Sequence, residues 1–326
     1  MIQKDGSFVL FSGSSHEGLA RGIASELGAS LGKILRETFP DGEIGIQIQE
    51  NVRGKDVFIV QSGARRPNHY LMELLIMVDA FKRASARSIS LVLPYFAYAR
   101  QDRKEKPRVP ITAKLVANLL EKAGATRVLT MDLHTDQIQG FFDIPVDHLY
   151  ARPLFVRTFK KLALKNLIVV SPDVGSNKMA RKFAEDLNVD LAIVDKRRIG
   201  ADCVETSAII GDVSGKNVLL VDDICSTGKT LRSAALACRK EGAQSIRAAV
   251  THALFAKEAL EDSGIEEVYV TDTIPQDLRG VKSISTAPLF AQAIDCVVHA
   301  KSISSLFTAD LEENYEEIDS VSKKRP

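Results

Sequence analysis

The 326-residue chain has no tryptophan, only four cysteines and almost no net charge. The missing tryptophan excludes no function. Cys203, Cys225, Cys238 and Cys296 form no CxxC pair, so neither a zinc site nor a disulfide framework is expected, and a reduced, cytoplasmic protein is the default reading. Lysine and arginine number 43 against 42 acids, a net charge of +1. No global field therefore draws the chain to nucleic acid or membrane, and any anion site has to be local. Long apolar runs are missing too. The richest, Leu71 to Val78, is broken by Glu73 and falls far short of the roughly 18 residues that span a bilayer. Charge and glycine interrupt the apolar residues of the N-terminus, which lacks a signal-peptide pattern. What is present is 45% hydrophobic and 26% charged residues, the balance of a globular chain, at a length that fits about two domains.

Short β-rich runs ending in Gly, Ser or Asp alternate with helical patterns throughout. The runs are Phe8–Phe11, Val57–Val60, Ile89–Leu93, Val128–Met131, Leu167–Val170, Val218–Val221 and Ala248–His252; helices are predicted over Tyr70–Ala84, Ile111–Ala123, Asn177–Leu187 and Thr230–Glu241. That alternation predicts parallel sheets with crossover helices. The halves also match each other. GKDVFIV from Gly54 reappears as GKNVLLV from Gly215, and the Ala20-Arg21 to Leu27 stretch reappears at Ala180-Arg181 to Leu187, offsets of 161 and 160 residues. Two copies of one α/β domain meeting near residue 150 explain both offsets. The expected organisation is an N-terminal domain over 1–150, a C-terminal domain over 151–308, and an acidic then basic disordered tail over 309–326.

The copies differ where chemistry is carried. VLLVDDICSTGKT, residues 218–230, brings a buried strand to two adjacent acids and then a turn of small residues opening a helix. In an open parallel sheet ligands bind at that place. The amides of Ser226 to Thr230 can form an anion nest at a helix N-terminus, and the hydroxyls of Ser226, Thr227 and Thr230 add donors. Asp222 and Asp223 are placed to accept hydrogen bonds from vicinal sugar hydroxyls. Phosphate at one end and a diol at the other describe a ribose 5-phosphate. A P-loop is excluded, because GxxxxGK[ST] requires Gly where the chain has Asp223. A helix cap explains one carboxylate, not an adjacent pair with a Ser/Thr cluster. The first copy has Gln61-Ser62-Gly63-Ala64-Arg65-Arg66 at the matching place and lacks the acids.

Other segments are ambiguous by themselves. Five cations lie between Arg100 and Arg108, opposed only by Asp102 and Glu105, and charge alone reads them as a solvated loop. The strand-end His134 of Asp132-Leu133-His134 is by itself more often a hydrogen-bonded core residue than a ligand. Lys196-Arg197-Arg198, following a strand at Leu191–Val194, reads as a surface run. Phe39-Pro40-Asp41-Gly42-Glu43 reads as a turn into an alternating strand, Ile44–Ile48.

The 218–230 segment resembles the phosphoribosyl-diphosphate loop of the type I phosphoribosyltransferase fold. With FSGSSHEGLA, FPDGEIGIQI, YFAYARQDRKEKPRVPITAKLVANLL, TMDLHTDQIQGFFDIPVDHLYA and VVSPDVGSNKMA, the resemblance runs from about Ser7 to Phe307 and narrows to the ribose-phosphate diphosphokinases of the phosphate-activated class. It implies an α/β fold of two similar type I phosphoribosyltransferase-like domains, each a mainly parallel sheet flanked by helices, from an internal duplication. The activity it implies is transfer of the diphosphoryl group of ATP to the C1 hydroxyl of ribose 5-phosphate, giving 5-phosphoribosyl 1-diphosphate and AMP for nucleotide biosynthesis.

Residue roles follow from the same resemblance. The basic loop becomes a flexible lid over nucleotide phosphates, with Arg100 and Gln101 at ATP-contacting positions. His134 and Asp173 match positions that hold Mg²⁺. Lys196 and Arg198 match the catalytic lysine and adjacent arginine, Arg198 also touching ribose 5-phosphate beside Asp222, Asp223, Ser226, Thr227, Gly228, Lys229 and Thr230. Phe39 stacks on adenine while Asp41 and Glu43 bind the nucleotide of a neighbouring subunit, which implies a homo-hexamer, with inorganic phosphate as activator and ADP as inhibitor. Two positions depart from the pattern: Lys229, where a small residue is more usual, and Asn51, where many relatives have Ser ahead of the matching Arg53. The alternatives are a base phosphoribosyltransferase, which leaves the second domain, the DLH segment and the basic lid unexplained, and a non-catalytic regulatory paralogue, which should have lost catalytic positions.

Overall fold

A computed structural model of the chain describes residues 8–199, 204–254, 257–260, 262–276 and 280–307, with the backbone alone at 196–199, 204–207, 257–258, 305 and 307. The tail expected over 309–326 and Cys203 lie outside the described residues.

The chain forms two units. The first takes the chain to Tyr150 together with Thr273–Pro275 and the segment from Ser285. It contains β1 (Phe8–Ser12), α1 (Glu17–Glu26), β2 (Ile34–Thr38), β3 (Ile44–Ile48), β4 (Asp56–Val60), α2 (Pro67–Arg83), β5 (Ser88–Leu93), α3 (Thr112–Ala123), β6 (Arg127–Met131) and β7 (Val146–Leu149). The second holds Ala151–Asp272 and Gln276–Ile284. Its elements are α4 (Arg152–Leu162), β8 (Leu167–Ser171), α5 (Asn177–Leu187), β9 (Asp190–Ile199), β10 (Val204–Ile210), β11 (Asn217–Cys225), α6 (Lys229–Lys240), β12 (Ser245–Ala253), β13 (Glu267–Thr271) and β14 (Val281–Ile284). A last helix, α7 (Ala287–Val298), belongs to the first unit and packs on α1, where the absence of a side chain at Gly22 lets Ala287 approach.

The strands read as continuous apolar runs because both faces of each sheet are covered, as parallel sheets require. In the first unit Val57 and Ile59 join a core with Leu74, Met77 and Phe81 of α2 and Val116 and Leu120 of α3, while Phe58 and Val60 are buried on the opposite face. In the second unit Val218, Leu220, Ile246, Ala248 and Val250 pack with Leu231, Ala234, Ala235 and Cys238 of α6. Aromatic pairs bind the other layer, Phe155 of α4 lying 6.1 Å from Phe183 of α5 and Phe159 4.9 Å from Tyr269 of β13.

The duplication is written in the hydrogen-bond register. The first sheet has the order β1-β4-β5-β6-β7, and the second contains β8-β11-β12-β13-β14 in the same sense, extended by β9 and β10. Phe8 stands opposite Asp56 as Leu167 stands opposite Asn217, and Asp56 opposite Ser88 as Asn217 opposite Ser245. Further out, Val128 faces Val146 as Val268 faces Val281. The antiparallel hairpins β2–β3 and β9–β10 occupy the same place in each copy. β9 pairs along β8, whereas in the first unit a single bridge, from Leu10 to Leu31 just ahead of β2, joins β1.

Two expectations need correction. β11 does not stop at Val221 but runs to Cys225, because β12 is long enough to pair with it as far as Ala253 after β8 has diverged at Val170. Likewise β9 continues to Ile199 along β10, so Lys196 and Arg198 lie within a strand rather than after one.

Candidate active site

In the second sheet the strand order reverses beside β8: β9 lies on one side of it and β11 on the other. The loops leaving β8 and β11 therefore splay apart at their C-terminal ends, the crevice where open α/β sheets bind ligands. Asp173 and Ser176 come from the loop after β8, and Asp222 through Thr230 from the end of β11, the turn after it and the start of α6. The Ser176 hydroxyl donates to Asp222 Oδ1 (2.9 Å), and its amide donates to Asp173 Oδ1 (3.0 Å). The Asp223 amide also donates to Asp222 Oδ1 (3.1 Å). One serine thus ties the loops together. Sequence reasoning missed it, although a Ser directly before the helix at Asn177 was the available signal.

Asp222 is buried while Asp223 beside it is half-buried. Burial, with the neighbouring charges of Asp223 and Asp173, pushes the Asp222 carboxyl up to about 8 against the help of Ser176. Burial thus favours a proton on the Asp222 side of the acid pair, which lets one acid of the pair donate to a ligand oxygen while the other accepts. Folded Asp222 retains that proton where the unfolded chain has released it, so its contribution to stability falls as pH rises from the ordinary carboxylate range through about 8. Asp222→Asn should flatten this decline, giving a melting temperature less dependent on pH between about 5 and 8; an unchanged pH profile would contradict the assignment.

Past Cys225 the chain turns through Gly228, whose φ of +73° and whose missing side chain are both required: a Cβ there would lie 2.5 Å from the Ala259 carbonyl oxygen. Gly228 occupies the N-cap of α6, whose first turn has no side-chain cap. The first intrahelical bond runs from the Arg232 amide to the Gly228 oxygen, which leaves the amides of 229–231 directed out of the helix end. Thr227 and Lys229 are exposed there, and Ser226 and Thr230 are half-buried. A helix N-terminus of this form attracts phosphate.

The first unit shows what happened to the same place in the other copy. β4 ends at Val60, and the next residue, Gln61, is the counterpart of Asp222 and is buried. Its amide donates to Glu73 Oε2 (2.9 Å), and its oxygen accepts from the Ser15 amide (3.1 Å). Glu73, on α2, is buried as well and accepts from the Ser14 amide (2.9 Å) and hydroxyl (2.5 Å). The corresponding turn of α6 carries Ala234 and Ala235. An internal carboxylate stands at this place in the first copy, where the second has buried alanines. Glu73→Ala should cost about 3 kcal/mol of stability in a denaturant melt, because buried donors lose their acceptor, and Glu73→Gln should cost less. Equal stability of all three proteins would show that the network carries no load.

The first unit has its own cluster at the ends of β5 and β6. Arg100 is exposed at the start of the irregular 100–110 segment. Gln101 is anchored by its amide to the Tyr98 oxygen (2.8 Å), by its oxygen to the Ala113 amide (3.2 Å), and by its side chain to the Thr112 hydroxyl (2.5 Å). The Thr135 hydroxyl donates to Asp102 Oδ2 (2.8 Å), joining the root of the basic segment to the loop that carries the exposed His134. Phe39, Asp41 and Glu43 stand exposed on the tip of the β2–β3 hairpin, which is closed by the Phe39 amide on the Glu43 oxygen (2.8 Å). Asn51 caps the Arg53 amide (3.0 Å), the role a serine could also fill. The side chains of Lys196 and Arg198 lie outside the described residues; their backbone pairs with Ser207 and Glu205. Among the described residues no three His, Cys, Asp or Glu side chains converge on one point, and no helix is long and apolar enough to cross a membrane. Cys225, Cys238 and Cys296 are buried and unbridged.

Comparison with known proteins agrees with this geometry. Residues 8–124 match the family model of the N-terminal domain of ribose phosphate pyrophosphokinase, and residues 150–283 match the phosphoribosyl transferase domain. Ribose-phosphate pyrophosphokinase of Wolinella succinogenes is 52% identical over 92% of this chain and 99% of its own length. That of Caldanaerobacter subterraneus is 51% identical over 94% of this chain and 100% of its own length. The crystal structure of phosphoribosylpyrophosphate synthetase from Mycobacterium smegmatis superposes with a TM-score of 0.85 at 40% identity, covering 90% of this chain and 99% of that one. The chain belongs to the ribose-phosphate pyrophosphokinase family.

Proposed function

We infer that the protein is a cytoplasmic ribose-phosphate diphosphokinase, transferring the diphosphoryl group of ATP to the C1 hydroxyl of ribose 5-phosphate. Family membership over nearly the whole chain supports the reaction. The observation that carries it in the fold is the crevice at the ends of β8 and β11, where β11 carries an acid pair and leads by a short turn into an uncapped helix N-terminus. Ser226 through Thr230 hold the 5-phosphate. Asp222 and Asp223 bind the ring hydroxyls and so fix the sugar for attack. Its C1 oxygen forms a bond to the β-phosphorus of ATP in line with the bridging oxygen that departs on AMP. Lys196 and Arg198 stabilise the charge of the transferring group, and Arg198 also contacts the sugar phosphate. Arg100 and Gln101, with the basic lid, close over the nucleotide and exclude water, since phosphoryl transfer depends on positioning and electrostatics.

The donor set suits a cation that arrives with the nucleotide rather than one caged by protein, because no ligand trio exists among the described residues. Mg²⁺ keeps several waters and takes few protein donors beside substrate phosphates. His134 and Asp173 are the residues that would contribute ligands, Asp173 Oδ1 accepting from the Ser176 amide. When bound with the nucleotide, Mg²⁺ would neutralise charge on the phosphates. Phe39, Asp41 and Glu43 on the exposed hairpin complete the nucleotide site of a neighbouring copy in a homo-hexamer, with inorganic phosphate activating and ADP inhibiting.

Purified protein supplied with ATP, ribose 5-phosphate, Mg²⁺ and phosphate should form AMP only when ribose 5-phosphate is present. No AMP from folded protein would mark a non-catalytic paralogue, and release of pyrophosphate from phosphoribosyl diphosphate and a free base would mark a base transferase.

A further inference from the structure

We propose that His148 is a positioning residue for His134, acting through the backbone of the loop that carries it. The inference rests on the assignment of His134 to the metal that accompanies ATP. β6 ends at Met131, and the next residue, Asp132, is buried with φ +38°, a conformation that costs a side-chain-bearing residue energy and persists only where its surroundings enforce it. Two consecutive amides supply that enforcement. The Asp132 N–H donates to the Leu149 carbonyl (3.0 Å), and the Leu133 N–H donates to His148 Nε2 (2.9 Å). Both acceptors come from the end of β7, where His148 stands opposite Thr130 of β6. His134 then leaves the loop exposed, one residue beyond the second clamp.

The imidazole is itself held on every side. His148 is 4% exposed and its ring lies 4.5 Å from that of Tyr150. Accepting at Nε2 places its proton on Nδ1, which faces Asp136 Oδ1 at 3.7 Å. The Tyr150 hydroxyl reaches the same Asp136 oxygen (3.4 Å), and Asp136 begins the 3-10 turn Asp136–Phe141 just after the loop. Ring, loop and turn form one braced unit, so the direction in which His134 leaves is set by an acceptor atom on β7. Without that acceptor the Leu133 N–H, in a buried residue, loses its partner and the loop has reason to relax out of the Asp132 conformation. Groups that orient a metal ligand from behind typically change metal affinity 10–100-fold when removed.

The test compares His148→Gln, whose side-chain oxygen can accept at the Nε2 position, with His148→Met, of the same length without that acceptor. The readout is binding of the Mn²⁺–ATP chelate, followed by electron paramagnetic resonance with ribose 5-phosphate left out, alongside the Mg²⁺ concentration for half-maximal rate and the melting temperature. His148→Met should weaken chelate binding about tenfold, His148→Gln should restore most of it, and both should bind ribose 5-phosphate normally. If His148→Met does not fold, His148→Leu takes its place in the comparison. Chelate binding equal in the Gln and apolar variants, with only lowered melting temperatures, overturns the positioning role provided His134→Ala weakens binding in parallel. If His134→Ala also binds the chelate normally, the metal assignment falls and the positioning role falls with it.

Discussion

Arg100→Ala lowers the rate of AMP formation by roughly a hundredfold or more while ribose 5-phosphate binds as before. Arg100 opens a segment that carries five cations from Arg100 to Arg108 inclusive. The root of that segment is fixed by Gln101 on Tyr98, Ala113 and Thr112 and by Asp102 on Thr135. A guanidinium on so firm a base can be aimed where charge develops on the transferring phosphates. An electrostatic stabiliser of that kind is worth about 3–4 kcal/mol. Arg100→Lys recovers only part of the rate, because the ammonium keeps the charge and loses the fork that spans two oxygens. The sugar phosphate is proposed to be held by the turn between β11 and α6, so its binding is expected to stay unchanged. Steady-state kinetics with calorimetry for the sugar phosphate check both parts, and near wild-type turnover of Arg100→Ala would reduce the basic segment to a solvated loop.

The second large effect belongs to the other ligand. Asp223→Ala combined with Thr227→Ala weakens ribose 5-phosphate binding by about a hundredfold: a charge-assisted hydrogen bond is worth ~1.5–3 kcal/mol and a neutral one about 1 kcal/mol. ATP binding stays near wild type. Both side chains lie outside the Ser176–Asp222–Asp173 hydrogen bonds, so the crevice itself survives the double substitution. Calorimetry with each ligand separately decides the matter, and unchanged sugar-phosphate affinity in the folded variant would remove the assignment.

Much of this was legible in the sequence because parallel strands buried on both faces leave unbroken apolar runs. Asn177–Leu187 and Ile44–Ile48 form as predicted, and the GKDVFIV/GKNVLLV match marks strands that hold the same register in both sheets. The acid pair, the small-residue turn and the glycine at 228 were also visible, since each is a local consequence of strand, turn and helix. Contacts between distant segments were not. Ser176 gripping Asp222 spans 46 residues, and Glu73 reaching Ser14 spans 59. Glu73 reads in the sequence only as an interruption in an apolar run; its role depends on a partner loop that β1 brings beneath α2. The same holds for His148, whose alternation with Val146 places it on a strand face without naming the amide it meets. The extents of β9 and β11 were underestimated because polar residues end an apolar pattern, whereas the neighbouring strand decides where pairing ends.

The central claim is that a diphosphoryl group moves as one unit from ATP to the sugar. ATP labelled with ³²P at the β-position, incubated with ribose 5-phosphate and the protein, tests it directly. All transferred label should appear in 5-phosphoribosyl 1-diphosphate and none in the nucleotide product, which is AMP. Label retained in ADP, with a single phosphoryl group on the sugar, would contradict it.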